Sequence, residues 1–178
     1  MHKIWSRKGK GEFYIFGQFM GGDETTADAD VFGEELKMNF DDAFAGGLGY
    51  GYNLNDHFNL NMDFFYGQSD TTAHLLDMEV ETETDMFGFD MNLDFNILKS
   101  RLTPLITAGI GWINFSGDFE GFDFDETDFS YNVGAGVRWD VTNHFLIKAV
   151  YRSLWSELED TEEALRFDVI SLSVGFIF

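Results

Sequence analysis

Residues 169–178 read VISLSVGFIF. Ile170, Leu172, Val174, Phe176 and Phe178 share one parity, while Val169, Ser171, Ser173, Gly175 and Ile177 fill the other with mostly small or polar side chains. A two-residue period puts alternate side chains on opposite faces of an extended chain, so this stretch is a strand with one greasy face. It ends on an aromatic ring in a chain whose formal net charge is −21. That combination requires an apolar environment for one side of the strand.

The same period recurs upstream. In AFAGGLGYGYNL (43–54), Phe44, Leu48, Tyr50, Tyr52 and Leu54 oppose Ala45, Gly47, Gly49, Gly51 and Asn53. In HFNLNMDFFYG (57–67), Phe58, Leu60, Met62, Phe64 and Tyr66 oppose Asn59, Asn61, Asp63 and Phe65. MFGFDMNLDFNI (86–97) sets Phe87, Phe89, Met91, Leu93, Phe95 and Ile97 against Gly88, Asp90, Asn92, Asp94 and Asn96, and YNVGAGVRWDV (131–141) sets Tyr131, Val133, Ala135, Val137, Trp139 and Val141 against Asn132, Gly134, Gly136, Arg138 and Asp140. Three less regular stretches complete a set of eight: 13–20 with Gln18 inward, 105–112 with Ile106, Ala108, Ile110 and Trp112 outward, and 144–152 with Lys148 and Arg152 inward. The large aromatic residues crowd one face and Gly, Asn, Asp and Arg the other, which needs water or polar partners on that second side.

Composition agrees with strands. The 178 residues contain 21 Phe, 6 Tyr, 4 Trp, one Pro and no Cys, and aromatics favour sheets. The length fits a single domain over 1–178, with residues 1–10 a basic segment at its start. No apolar run approaches the roughly 18 residues of a membrane-spanning helix. A mean hydropathy near zero leaves a barrel open, because only every second residue of a barrel strand faces lipid. The opening MHKIWSRKGKG is charged like the start of an export signal but lacks an apolar core, so the chain is expected to begin at the mature or altered N-terminus of an exported protein.

The connections separate a soluble sandwich from a closed barrel. They alternate long and short: about 20 residues after the first strand, NLNDH, about 67–85, LKSRL, about 116–128, VTNH, and 156–166. Transmembrane barrels show this asymmetry, with short periplasmic turns and long extracellular loops, and closure removes the sheet edges that lipid cannot satisfy. The expected fold is therefore all-β, an eight-stranded antiparallel transmembrane barrel with long acidic extracellular loops.

The closing strand, LTPLITAGIGW after a short turn, and YNVGAGVRWDVTNHFLIKAVYR together give a chain that resembles the small eight-stranded outer-membrane barrels, the group of the OmpA barrel domain, OmpX and OmpW, over roughly residues 11–178. The resemblance implies a monomer in the bacterial outer membrane, in contact with outer-membrane lipid and lipopolysaccharide. Ile170, Leu172, Val174, Phe176 and Phe178 resemble the C-terminal signal read by the outer-membrane assembly machinery. No peptidoglycan-binding domain is seen after Phe178, so an OmpA-type tether to the cell wall is not expected. The implied role is non-enzymatic, in envelope integrity or surface interaction through acidic loops. Its rivals are a narrow pore or OmpW-like passage of small or hydrophobic solutes, and, at a distance, a lipid A-modifying enzyme.

Sorting charge by expected compartment is informative. Of the 32 acids, 26 fall in the four long connections (23–42, 70–85, 118–128 and 157–168), where Lys37 and Arg166 are the only bases. Lys3, Arg7, Lys8, Lys10, Lys99 and Arg101 fall on the periplasmic side. Asp63, Asp90, Asp94 and Asp140 face the lumen with Arg138, Lys148 and Arg152, an internal charge network that fills a barrel of this size. The glycines of GGLGYGY are expected to make room for Arg138 or Lys148.

Motifs for chemistry are sparse. His57 and His144 lie in turns about half a barrel apart, His2 lies in the N-terminal segment, and His74, five residues from Ser69, is an ordinary loop histidine, so no catalytic residue is expected. Asp28, Asp30 and Gly33 match positions of a calcium loop, but Phe32 and Asn39 stand where two further ligands belong. GGLGYGY lies in a strand with no helix after it, which rules against a phosphate loop. No cofactor and no specific metal site are expected, only weak Ca²⁺ or Mg²⁺ association with the acidic loops, and the sign of the charge disfavours nucleic acid.

Overall fold

A computed structural model describes residues 6–22, 29–31, 34–75, 78–119, 122–157 and 164–178. The strands are β1 (Gly11–Gly22), β2 (Ala29–Val31), β3 (Glu34–Asn53), β4 (Phe58–Leu75), β5 (Met78–Asn96), β6 (Leu102–Phe119), β7 (Phe122–Asp140), β8 (Phe145–Glu157) and β9 (Ala164–Ile177). Each long strand pairs antiparallel with the next. β1 pairs with β9 from Glu12↔Ile177 to Gly22↔Phe167 and with β3 from Gly11↔Tyr52 to Met20↔Ala43, which closes eight strands into a barrel. β2 is a short rung on the far end of β3, with Ala29 opposite Leu36.

The alternation decides what each face does. Phe44, Tyr66, Phe87, Trp112, Val133, Tyr151, Ile170 and Phe176 are among the large apolar residues exposed on the outer wall. Aromatic rings gather at two levels. Near the short turns stand Phe58–Phe95 at 5.1 Å, Phe145–Phe176 at 5.9 Å and Tyr50–Phe178 at 6.5 Å. Nearer the other end run Phe19–Phe44, Phe64–Phe89, Phe89–Trp112, Trp112–Phe129 and Tyr131–Trp155, with centroids 4.8–6.3 Å apart. An apolar band between two aromatic girdles is the surface that fits a bilayer. Phe178 belongs to the lower girdle and its backbone exchanges hydrogen bonds of 2.9 and 3.0 Å with Gly11, so the terminal residue is the last rung of the seam.

The interior has two storeys. Toward the short turns it is polar, with Glu12, Asn53, Asn59, Asn96, Thr103, Arg138 and Asp140 buried; toward the other end Phe16, Met20, Phe65, Met86, Ile113, Leu154 and Phe167 form an apolar cluster across the lumen. The sequence reading recognised the polar face and overlooked the apolar storey, although Phe65 stood on the inward parity. Gln18 points inward as expected, buried beside both storeys.

Two expected loops are something else. β4 and β5 remain paired up to Leu75↔Met78, and β6 and β7 up to Phe119↔Phe122, so most of 67–85 and 116–128 is β-ladder. These segments alternate Thr, Glu, Asp and Phe, and a strand with polar residues on both parities gives no amphipathic signal. A register shift between Phe40 and Ala43 adds one residue to β3 where this extension leaves the barrel, the usual place for a bulge to bend a strand.

The glycines make room for different partners than expected. A Cβ on Gly47 would strike the Phe16 ring and the Phe64 carbonyl, and one on Gly49 would strike the Tyr14 ring and the Asp63 carboxylate; neither Arg138 nor Lys148 is involved. On the outer wall a Cβ on Gly17 would meet nothing within 4 Å. Gly47→Ala is accordingly expected to lower stability by about 1–3 kcal/mol through overpacking. Gly17→Ala should leave it nearly unchanged, as read from urea midpoints of the refolded protein in detergent.

Candidate functional site in the charged lumen

Strand parity brings the inward charged residues to one compartment, and stagger around the barrel decides which of them meet. Arg138 on β7 reaches Glu12 on β1 at 2.5 Å and Asp140 at 2.8 Å, and Asn53 donates to the same Glu12 oxygen. Arg7 precedes β1 and enters the barrel mouth. Its Nε lies 2.7 Å from Asp140 Oδ2, while its terminal nitrogens donate to the carbonyls of Asp56 and Ser100 at 3.2 and 2.6 Å. Arg7, Asp140, Arg138, Glu12 and Asn53 thus form one continuous chain across the closed end, all of it buried.

A second charged group sits farther from the short turns, at the levels of Tyr14 and Gln18 along β1. Lys148 Nζ donates to Asn61 Oδ1 at 3.1 Å, lies 3.5 Å from Asp94 Oδ2, and stands 4.3 Å from the centre of the Tyr14 ring. The Tyr14 hydroxyl donates to Asp63 at 2.6 Å, and Asn92 donates to the other Asp63 oxygen at 3.0 Å. Arg152 bridges Asp90 at 3.2 Å and Gln18 at 3.1 Å. Asp63 is therefore held by a phenol and an amide, whereas Asp90, Asp94 and Asp140 each meet one of the named bases directly.

Three members were missed from sequence. Glu12 was legible, since Gln18, Phe16, Tyr14 and Glu12 share one parity along β1. Tyr14 shares that parity. Arg7 was expected on the periplasmic side and lies at the end with the short turns, but it is 1% exposed; it lies outside every strand, so no alternation marked it as inward. A turn carries it there, with Lys10 N donating to Arg7 O at 3.1 Å and Gly9 at φ 75°, a conformation that favours glycine. Asp128, counted with the outer acids, is buried on the inner face of β7, at the same parity as Arg138 and Asp140.

His57 and His144 are tied to strand ends. His57 Nδ1 lies 2.7 Å from the Asn96 carbonyl with its ring stacked on Phe95, and His144 Nδ1 lies 3.2 Å from the Ile177 carbonyl. His2, Asp28, Phe32 and Gly33, and the side chains of Asp30, Lys37, Asn39, Ser69 and His74, lie outside the described residues. Among the described residues no three His, Cys, Asp or Glu side chains converge as a metal site. The C-terminal series Ile170, Leu172, Val174, Phe176 and Phe178 lies wholly on the outer wall.

Removing one member of a buried ionic chain strands its partners. Arg138→Met leaves Glu12 and Asp140 facing each other without the guanidinium, and is expected to cost about 3–5 kcal/mol in reversible unfolding from detergent. The clasp at Asp56 is sensitive to acid. Its carboxylate accepts from the Ser6 hydroxyl at 2.6 Å and from the Arg7 amide at 2.9 Å, and those bonds, the Ser6 hydroxyl foremost, hold its pKa below the usual carboxylate value. A lowered folded-state pKa gives stability that is complete above the unfolded value and lost as pH falls through the folded one. Hydrogen exchange at the Arg7 amide should therefore speed up, relative to Asp56→Asn, only below about pH 4.

Comparison with known proteins agrees with this architecture. The outer membrane protein beta-barrel domain family matches residues 9–178. No curated protein sequence matches the chain. Among solved structures, the N-terminal β-barrel domain of Pseudomonas aeruginosa OprF aligns with a TM-score of 0.57 at 20% identity, covering 98% of this chain and 100% of that domain. Neisserial surface protein A aligns at 0.62 and 19% identity over 93% and 97% of the two chains. Ail, the attachment invasion locus protein of Yersinia pestis, in complex with the heparin analogue sucrose octasulfate, aligns at 0.58 and 18% identity over 96% and 99%. A closed antiparallel barrel with two aromatic girdles and a family match over nearly its whole length make this chain a member of the outer membrane protein beta-barrel domain family, located in the bacterial outer membrane.

Proposed function

We propose that this protein is a non-enzymatic surface barrel that acts through the upright sheet above its membrane band. The observation that carries the reading is the unequal height of the strands. β1 pairs with β3 only as far as Met20↔Ala43 and β8 pairs with β7 only as far as Phe129↔Glu157, whereas β3 to β7 continue past those levels. At about 3.3 Å per residue, the hairpins from Phe40↔Thr71 to Leu75↔Met78 and from Glu126 to Phe119↔Phe122 stand well clear of the apolar band. The sequence of that extension is dense in Asp and Glu.

Passage of solutes is the weaker reading, because the apolar cluster around Phe65 and Leu154 and the ionic chain around Arg138 both lie across the lumen. A polyanionic sheet favours cationic partners, with Ca²⁺ or Mg²⁺ as weak bridges to anionic lipopolysaccharide, since screening at physiological salt leaves repulsion a reach of about 8 Å. Insertion would proceed through the assembly machinery by way of the C-terminal strand, and the protein would act as a monomer.

The test pairs two measurements on the full chain. Cells displaying the wild type should bind polylysine-coated surfaces at low ionic strength, and a variant with residues 70–84 replaced by a short turn should lose most of that binding. Liposomes carrying the wild type should show no solute uptake; robust uptake, or unchanged binding by the shortened variant, would overturn the reading. The thermal midpoint in detergent should rise more with millimolar Ca²⁺ than with monovalent salt of matched ionic strength. An equal rise would leave screening alone.

A further inference from the structure

Among the described residues the lumen holds more acid than base. Arg7, Arg138, Lys148 and Arg152 are buried there with Glu12, Asp90, Asp94, Asp128 and Asp140, and half-buried Asp63 faces the same space. A carboxylate kept from water without a full counter-charge is costly, and such a group recruits a cation or a proton.

Some of the buried oxygens that receive no hydrogen bond converge at one place. Glu12 lies opposite Gly51 in the β1–β3 ladder, and Gly51 lies opposite Asn61 in the β3–β4 ladder. With no side chain on Gly51, the neighbours lean over it. Asn61 Oδ1, Glu12 Oε2 and Asn59 Oδ1 lie 2.8, 3.2 and 3.3 Å from the position a Cβ would take there. Glu12 Oε2 and Asn59 Oδ1 receive no hydrogen bond, and neither does Oδ1 of Asn53, the cross-strand partner of Asn59. All four side chains are at most 1% exposed.

We propose that the space in front of Gly51 binds a hard monovalent cation, Na⁺ or K⁺, through Glu12 Oε2 and the amide oxygens of Asn59, Asn61 and Asn53. Oxygen-only donors suit hard cations. A water molecule has two hydrogens to donate and cannot satisfy Glu12 Oε2, Asn59 Oδ1 and Asn53 Oδ1 together, whereas one cation can meet all three. A divalent ion would overshoot the charge of a site whose single carboxylate is already shared with Arg138. Lys148 Nζ already sits on Asn61 Oδ1 at 3.1 Å, which also favours the smaller charge and leaves Glu12 and Asn59 as the principal ligands. Glu12 Oε1 is engaged by Arg138 and Asn53, so the ion would complete the far side of the same carboxylate and extend the ionic chain toward β4.

Gly51→Ala tests this without removing a ligand, because its methyl group would fill the space. Urea midpoints of the refolded full chain in nonionic detergent are compared in NaCl, KCl and N-methyl-D-glucamine chloride at equal concentration. The wild type should have a higher midpoint in NaCl or KCl than in the bulky cation, and the difference should vanish in Gly51→Ala. Crystals of the wild type grown with RbCl should show an anomalous peak in contact with Glu12 and Asn59. Equal wild-type midpoints in all three salts with no rubidium peak would overturn the proposal in favour of water or a shared proton. A difference that persists in Gly51→Ala would overturn it in favour of the acidic sheet. If Gly51→Ala does not fold, the rubidium peak decides: its presence supports the site and its absence overturns it.

Discussion

In a bilayer there is no water to satisfy a free strand edge, so a sheet that crosses it must meet itself. Here the meeting point is β1, hydrogen-bonded on one side to β9 and on the other to β3. Everything else is arranged around that closure. Phe178 pairs with Gly11 at the end of the seam, the apolar parity of every strand is forced outward, and whatever occupies the other parity is confined to a narrow tube. The β1 residues on that inner parity, Glu12, Tyr14, Phe16, Gln18 and Met20, consequently touch both storeys of the interior.

Confinement explains how large side chains and glycines are matched. Gly47, Gly49 and Gly51 line the wall where Phe16, Tyr14 and the Glu12–Asn61 pair cross the lumen, and Gly88 receives the Phe65 ring. Phe16, Tyr14 and Phe65 each lie over a wall position with no side chain. The polar storey follows the same economy of space, with one carboxylate commonly serving two donors: Glu12 accepts from Arg138 and Asn53, and Asp140 accepts from Arg138 and Arg7. Arg7 also ties the turns of Asp56 and Ser100 to the end of β7, so a segment outside the sheet braces the end where the strands turn.

Above the band the physics reverses. Water satisfies exposed edges and both faces of a ladder, so β3 to β7 continue without closure, and acids that would be forbidden on the lipid-facing wall become permissible. The girdle from Phe64 through Phe89 and Trp112 to Phe129 marks the change of solvent. The Phe40–Ala43 irregularity lets β3 alter course close to that level.

The sequence by itself determined the faces. A two-residue period is a local property, so the outward placement of Ile106, Tyr131, Ile170 and Phe176 and the inward placement of Gln18, Asp90, Arg138 and Lys148 were all legible, along with eight strands and closure. It did not determine partners. Arg138 and Glu12 are 126 positions apart and Arg7 and Asp140 are 133 apart; their meeting depends on how far each strand is staggered around the tube, which no local pattern encodes. The upright hairpins were hidden for a different reason: with water on both sides, Thr, Glu and Asp sit equally well on either parity, and the period that reveals a half-buried strand fades. Tertiary structure alone set the apolar storey of Phe16, Phe65 and Leu154, the insertion of Arg7, and the gathering of unmatched oxygens at Gly51, because each arises from residues brought together only when the barrel closes.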